Sequence, residues 1–160
     1  MKPVIILDMD ETLLHTSEDS EWGIDGGLIV APRPGLKRFL DVVNLMGYVW
    51  VLSAGSPEYI PEALAEAGID SRVCGWRSSR LHNNLKKDII GNRPWVLVDD
   101  RPASTSLTQT KLHQCGGPGD HSEHLVLVEA FTGDPTDCLL RDLPGLIGLN
   151  LALQVELSRR

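Results

Sequence analysis

The sequence lacks a long apolar run. After Met1-Lys2-Pro3 the apolar stretch ends at Asp8. It is too short, and charged too soon, to serve as a signal peptide or to cross a membrane. We therefore expect a cytoplasmic protein that does not use a membrane as a partner.

Cysteine is also scarce, and its pattern is irregular. The chain has 3 cysteines, Cys74, Cys115 and Cys138, far apart and odd in number. Secreted disulfide frameworks use even, regularly spaced sets. The sequence therefore predicts reduced thiols.

Basic residues are in deficit. The chain carries 15 Lys and Arg against 22 Asp and Glu, a net charge of −7. Non-specific nucleic-acid binding needs a basic face, so it is not expected here. The length of 160 residues, 42% hydrophobic and 23% charged, suits one soluble domain spanning residues 1–160. We find no internal repeat and no long low-complexity tract.

Short apolar runs alternate with helical spacing. Residues 4–7, 48–52, 95–98 and 125–128 form such runs, which are typical of buried strands in a parallel sheet. Apolar residues at helical spacing follow the first run, with Gly47 at the predicted end, and Pro57 to Ala67 repeats the pattern. The alternation predicts an α/β fold, a Rossmann-like parallel sheet with helices on both faces.

Two long irregular stretches interrupt this alternation. Residues 15–31 contain Gly23, Gly26 and Gly27 and are expected to form a small hairpin insert. Residues 103–124 are polar and include Gly116-Gly117-Pro118-Gly119, so we expect a long loop. Leucines from Thr136 onward predict helical packing, which Pro144 is expected to break into pieces.

Polar residues follow three of the predicted strands, where parallel sheets bind ligands. They are Asp8 to Thr12, Ser53 to Gly55, and Asp99-Asp100. Carboxylates gathered at one edge repel each other unless a cation neutralises them, and Mg²⁺ prefers hard oxygen ligands. The sequence therefore predicts a magnesium site here.

At these residues the chain resembles a known family. Leu7-Asp8-Met9-Asp10-Glu11-Thr12-Leu13 resembles the DxDx(T/V) signature of the haloacid dehalogenase (HAD) superfamily of phosphotransferases. Further segments are similar to the small phosphatases that act on the RNA polymerase C-terminal tail, the FCP/SCP-like or NLI-interacting-factor-like branch. These segments are Arg33-Pro34-Gly35, Ser53 with Tyr59, Lys87-Asp88, Val98 to Pro102, Phe131 to Asp134, and Leu139 to Pro144.

The resemblance implies a mechanism. Asp8 would be the nucleophile that forms an aspartyl-phosphate. Asp10 would act as general acid and then general base, and would offer its backbone carbonyl to the metal. Ser53 would hydrogen-bond a phosphoryl oxygen, and Lys87 would neutralise charge on Asp8 and the phosphate. Asp99 and Asp100 would complete the Mg²⁺ site.

Some assignments stay open at this level. The tail phosphatases usually carry Asn where Asp100 stands, and Lys86 lies beside the preferred Lys87. Arg33 fits a surface salt bridge as well as a substrate contact, so we leave it outside the catalytic set. His113, Cys115, His121 and His124 are residue types that hold zinc, but their spacing matches no standard pattern.

The gaps available for a cap domain are short, at residues 15–31 and 69–83, so we expect a minimal cap or none. An open site favours a bulky substrate, such as a phosphoserine or phosphothreonine protein. The alternatives are a nucleotide, polynucleotide-end or sugar phosphate phosphatase and, in another class, a non-catalytic phosphoprotein-binding module.

Overall fold

A parallel sheet forms the centre of the molecule. The structure is a computed structural model and describes residues 1–18 and 28–159. Five parallel strands are arranged in the order β5-β4-β1-β6-β7: β1 (Val4–Leu7), β4 (Tyr48–Ser53), β5 (Gly75–Ser78), β6 (Trp95–Asp99) and β7 (Leu125–Leu127). The predicted α/β fold is confirmed.

Within the described residues four α-helices flank the sheet: α1 (Leu36–Met46), α2 (Tyr59–Glu66), α3 (Ser106–Gly116) and α4 (Leu139–Leu157). Alternate strand residues face opposite sides, because side chains in a strand alternate. Ile5, Leu7, Val49 and Val51 pack in one core with apolar residues of α1, α2 and α4. On the other face, strand residues such as Ile6 and Leu97 pack with Leu112 of α3.

The segment predicted as a hairpin insert contains two paired strands. β2 (Leu14–Glu18) and β3 (Leu28–Pro32) run antiparallel, with Thr16 opposite Val30. Residues 19–27, the predicted tip, lie outside the described residues.

Residues 103–124 do not form the long loop that the sequence predicts. This segment contains α3 and a short 3-10 turn at Ser122–His124. Thr105 caps α3, since its hydroxyl accepts a hydrogen bond from the Thr108 backbone N–H. The stretch reads as polar because two positions of the buried face, Thr108 and Lys111, are polar.

The expected break at Pro144 is also wrong. α4 continues through Pro144 to Leu157. The proline lies in the second turn of the helix, and its missing N–H removes one helical hydrogen bond. Apolar contacts hold the helix on the sheet. The buried residues of this helix are Leu140, Leu143, Ile147 and Leu151.

Candidate active site

Three carboxylates meet where the strand order reverses. From β1 the chain passes first to β4 and β5 on one side, then to β6 and β7 on the other. Asp8 follows β1 and Asp99 ends β6, and these strands are neighbours. The crevice at such a switch point is the usual ligand site of an open parallel sheet. Carboxylate oxygens of Asp8, Asp99 and Asp100 lie within 4.8 Å of one another.

A buried lysine lies between two of these acids. Nζ of Lys111 donates to Asp8 Oδ1 and to Asp99 Oδ2, each at 2.7 Å. Lys111, Asp8 and Asp99 are 3%, 5% and 0% exposed, so the contacts are shielded from water. The hydroxyl of Thr12 donates to the remaining oxygen of Asp8, Oδ2, at 3.1 Å.

Burial and charge shift the proton affinities of this cluster. Burial raises the pKa of Asp8 to about 7, although the Lys111 ammonium pulls it down. Burial by itself lowers the pKa of Lys111, but the carboxylates of Asp8 and Asp99 raise it by more. Lys111 therefore remains a cation at neutral pH.

Asp10 is held on a separate set of partners. Its Oδ2 accepts from the Ser53 hydroxyl at 3.3 Å, and its Oδ1 accepts from the Tyr59 hydroxyl at 2.5 Å. Thr16 lies 3.0 Å from the same Tyr59 oxygen. Burial, and then the hydrogen bond to Asp10, raise the pKa of Tyr59, so the phenol keeps its proton. Asp10 is thus oriented towards the cleft without contacting the lysine.

The structure contradicts the prediction that Lys87 lies beside Asp8. Lys87 lies in a short π-helical turn, Lys86–Ile90, and its side chain is exposed. Lys86, the alternative, lines a different cleft, beside Trp95. Lys111 takes the position expected of Lys87. The Lys-Asp motif favoured the wrong residue, because Lys111 lies on the buried face of α3 beside Leu112 and Cys115.

Tyr59 and Thr12 also contact the acids of the site, although no sequence pattern predicted a chemical role for them. Arg33, left outside the catalytic set, is buried at 1% exposure. It donates to both carboxylate oxygens of Asp137, at 2.9 and 2.8 Å, and to the backbone carbonyls of Thr12 and Glu129. It therefore connects the turn after β1 to the chain before α4, instead of forming a surface salt bridge.

The donor set suits a hard divalent cation. Three carboxyl groups face one ammonium, so acidic groups outnumber the basic group in this cluster. All three side chains offer oxygen, which magnesium prefers over nitrogen or sulfur. The acidic cluster defined by Asp8, Asp99 and Asp100 therefore fits a magnesium ion in charge and in ligand type.

The acids open into a cleft of about 500 Å³. Asp8, Asp10 and Lys111 lie on its wall, and the exposed side chains of Arg80 and Arg101 line its mouth. Arginine fits phosphate well, because its planar guanidinium presents several donors. The cleft therefore combines buried carboxylates with cationic groups that suit an anion.

Residues 3–156 match the family model of NLI interacting factor-like phosphatases. The TIM50 subunit of the mitochondrial import inner membrane translocase of Phytophthora infestans is 29% identical over 114 residues, which are 66% of this chain and 26% of TIM50.

Two solved structures share the fold. The structure of Fcp1, an essential RNA polymerase II CTD phosphatase, has a TM-score of 0.56 at 16% identity, with 94% of this chain and 49% of Fcp1 covered. A variant of fission yeast Fcp1 bound to beryllium fluoride has a TM-score of 0.51 at 18% identity, with 94% of this chain and 51% of that chain covered. The chain thus spans about half of each Fcp1 chain and a smaller part of TIM50.

The family model covers nearly the whole chain, and the sheet agrees with the Fcp1 fold. The chain therefore belongs to the NLI interacting factor-like phosphatase family, which confirms the branch of the HAD superfamily predicted from the sequence.

Proposed function

We propose that this chain hydrolyses phosphate monoesters through an aspartyl-phosphate on Asp8, with Mg²⁺ as cofactor and a phosphoserine or phosphothreonine protein as substrate. The observation that carries the proposal is the division between two aspartates on one cleft. Asp8 is paired with Lys111, and Asp10 is held by Ser53 and Tyr59. Lys111 favours the anionic form of Asp8, whereas Asp10 lies apart from this ammonium and contacts hydroxyl groups.

In the first step an oxygen of Asp8 attacks phosphorus, and the bond from phosphorus to the ester oxygen breaks. Asp10 delivers its proton to the departing oxygen, which leaves as an alcohol. Lys111 favours the anionic form of Asp8 before attack and stabilises negative charge on the phosphoryl oxygens afterwards. Ser53 adjoins Asp10 and supplies a hydroxyl for a phosphoryl oxygen.

In the second step water attacks the phosphorus of the aspartyl-phosphate. Asp10, now a carboxylate, removes a proton from that water, and the bond to Asp8 breaks to release inorganic phosphate. Tyr59 fixes the orientation of Asp10 in both steps, because its phenol stays protonated and donates to the carboxylate. Each group returns to its starting state.

Asp8, Asp99 and Asp100 would hold Mg²⁺, with the backbone carbonyl of Asp10 as the further ligand that the family resemblance implies. The ion would neutralise the acids and the phosphate so that two anions can approach each other. The fit of the three carboxylates to a hard cation supports this assignment.

The openness of the cleft supports a bulky substrate. Between β4 and β5 the chain forms only α2 and a short 3-10 turn, Asp70–Arg72. The described residues between β1 and α1 form the β2-β3 ribbon. Arg80 and Arg101 at the mouth are placed to contact acidic or phosphorylated neighbours of the target residue. Nucleotides, polynucleotide ends and sugar phosphates are the alternative substrates.

A phosphoprotein-binding module without catalysis is the second candidate. One observation favours a role without catalysis. The relative with 29% identity is named as a subunit of an import translocase and not as an enzyme. The presence of Asp8, Asp10 and Lys111 in one cleft favours catalysis instead, since a binding module needs neither a nucleophile nor a general acid.

Turnover on a substrate panel tests the proposal. The panel contains phosphoserine and phosphothreonine peptides, nucleotides, phosphorylated polynucleotide ends and sugar phosphates, each assayed with Mg²⁺ and with a chelator. We expect phosphopeptides to give the highest kcat/KM and the chelator to abolish turnover. Undiminished activity in chelator would refute the metal assignment. Tight binding of phosphopeptide with no phosphate release from any substrate would favour the binding module.

A further inference from the structure

A second group of side chains of the types that bind metals lies at the opposite end of β6. His121, Glu123 and His124 each offer one ligand atom, and these atoms lie within 4.8 Å of one another. All three side chains line a cleft of about 620 Å³ beside Trp95. Neither the proposed phosphatase mechanism nor the acidic cluster uses them.

Backbone carbonyls fix the protonated nitrogen of both rings. Nδ1 of His124 lies 2.9 Å from the Trp95 carbonyl, and Nε2 of His121 lies 3.0 Å from the Gly117 carbonyl. A carbonyl only accepts, so each of these nitrogens must carry the hydrogen. The lone pairs are therefore on Nε2 of His124 and Nδ1 of His121. Metal-bound histidines show this arrangement, in which the other ring nitrogen donates to a carbonyl or carboxylate.

Packing holds both rings in place. His124 stacks on Trp95, with ring centroids 4.1 Å apart and an interplanar angle of 4°. The ring of His121 lies so close to Gly116 that a Cβ there would come within 2.5 Å of it. The free nitrogen of His124, Nε2, lies 3.4 Å from Glu123 Oε1. Two ordered imidazoles and a carboxylate thus converge without metal.

We propose that His121, Glu123 and His124 form a zinc site that pins the segment after α3 onto the start of β6. Two imidazole nitrogens and one carboxylate oxygen suit Zn²⁺, which accepts nitrogen and oxygen in tetrahedral geometry. Water from the adjoining cleft completes the coordination.

The site differs from the set suggested by the sequence. Cys115 is fully buried in the core, where burial raises the pKa of its thiol, so it is not presented as a thiolate. The imidazole of His113 is exposed and contacts the Gly119 carbonyl. Glu123, which no sequence pattern marks as a ligand, takes their place.

The two metal sites are separable by position and by chemistry. Trp95 begins β6 and Asp99 ends it, so the sites are about 13 Å apart along a strand that rises 3.3 Å per residue. The acidic cluster has only oxygen ligands and prefers Mg²⁺, whereas imidazole favours Zn²⁺. An excess of Mg²⁺ therefore occupies one site and leaves the other for Zn²⁺.

Zinc titration in excess Mg²⁺ tests the proposal. Chelator-stripped protein is saturated with Mg²⁺, and Zn²⁺ is then added in competition with a chromogenic chelator. We expect the wild-type chain to bind one equivalent and to melt at a higher temperature with zinc. Glu123→Gln and His121→Asn should each weaken zinc binding by about tenfold or more, as even partners beyond the ligands do.

His113→Asn is the matched control, because it removes a histidine from the same segment and should bind zinc like the wild type. Co²⁺ in place of zinc should give the visible absorption of a tetrahedral site, which Glu123→Gln should change. Glu123 is exposed, so its variant is expected to fold, and circular dichroism checks this. No zinc binding in excess Mg²⁺, or equal binding by wild type and Glu123→Gln, would overturn the proposal.

Discussion

Lys111 places an ammonium 2.7 Å from both Asp8 and Asp99, in a site from which water is largely excluded. Replacing it by methionine keeps the volume but removes the charge. We expect Lys111→Met to lower kcat by about a hundredfold or more, as is typical when one donor to transition-state charge is lost. Without metal it should also cost about 3–5 kcal/mol in the free energy of unfolding, because it leaves buried charges unpaired.

Lys87→Met provides the control, since Lys87 is exposed. We expect near wild-type turnover and a change in the free energy of unfolding within about 0.5 kcal/mol. Steady-state kinetics and urea unfolding of the two variants in parallel measure both effects. Loss of turnover in Lys87→Met with retention in Lys111→Met would return the catalytic role to the residue predicted from the motif.

The titration of Asp8 predicts a pH dependence of stability in metal-free protein. Its pKa rises from 3.8 to about 7 because of burial, so between these values the folded chain keeps a proton that the unfolded chain releases. Stability contributed by this group is therefore present at low pH and lost as pH rises from about 4 to about 7. Asp8→Asn has no such titration.

Urea unfolding in chelator, across that pH range, measures the difference in unfolding free energy between wild type and Asp8→Asn. The free energy of unfolding of the wild type, minus that of Asp8→Asn, should fall as pH rises. Added Mg²⁺ should bind more tightly at the upper end of the range, because ligands must lose their protons to bind metal. A difference that does not change with pH would contradict the shifted pKa of Asp8.

Sequence could indicate Asp8, Asp10 and Ser53 because each comes at or just after the end of an apolar run, where a parallel sheet places its ligands. Lys111 could not be found in this way. It lies on a helix, distant in sequence from the acids it contacts. The charge that the site needs there also disrupts the apolar pattern by which helices are recognised.

The polar residues on the buried face of α3 also hide the whole helix from pattern-based prediction. Its buried positions Thr108, Lys111, Leu112 and Cys115 have helical spacing, yet only two of the four are apolar. The helix is held by the Thr105 cap and by contacts with the short turn Lys86–Ile90. A binary pattern misses such a helix, because function has replaced part of its apolar face.

Arg33 connects elements that are far apart in sequence. Its guanidinium bonds the turn after β1 through Thr12, the segment after β7 through Glu129, and the start of α4 through Asp137. It is also placed over the Phe131 ring. Lysine cannot reproduce these bonds, since it lacks the planar fork.

We therefore expect Arg33→Met to reduce the free energy of unfolding by about 3–5 kcal/mol, as is usual when one partner of a buried ion pair is removed. Arg33→Lys should rescue little of this loss. Asp41→Ala is the control, because it breaks an exposed pair with Arg72 and should change the free energy by at most about 1 kcal/mol. Denaturant unfolding compares the three, and equal stability of Arg33→Met and wild type would refute the connecting role.

For the whole molecule, the sheet could be predicted because its central strands are continuous apolar runs, as buried parallel strands are. The strand order could not be predicted, because it depends on how the connections between strands pack on the sheet. The neighbouring positions of Asp8 and Asp99 are therefore known only from the structure. Of the helices in residues 1–18 and 28–159, none has the length and hydrophobicity of a membrane span. The cytoplasmic location stays a prediction.

In the proposed mechanism Asp8 carries the phosphoryl group and Asp10 moves the proton. An aryl phosphate with labelled phosphorus tests it, because its acidic leaving group needs little help in the first step. Asp10→Asn should lose about a hundredfold to ten-thousandfold in turnover, since general acid–base catalysis is lost. Its label should accumulate on the protein, because attack by water lacks a base. Asp8→Asn should carry no label.

Rapid quenching followed by peptide mapping is the measurement. We expect labelled phosphate on Asp8 in the Asp10→Asn protein and none on the Asp8→Asn protein. Label on Asp8→Asn at the wild-type rate, on any residue, would show that the nucleophile is elsewhere.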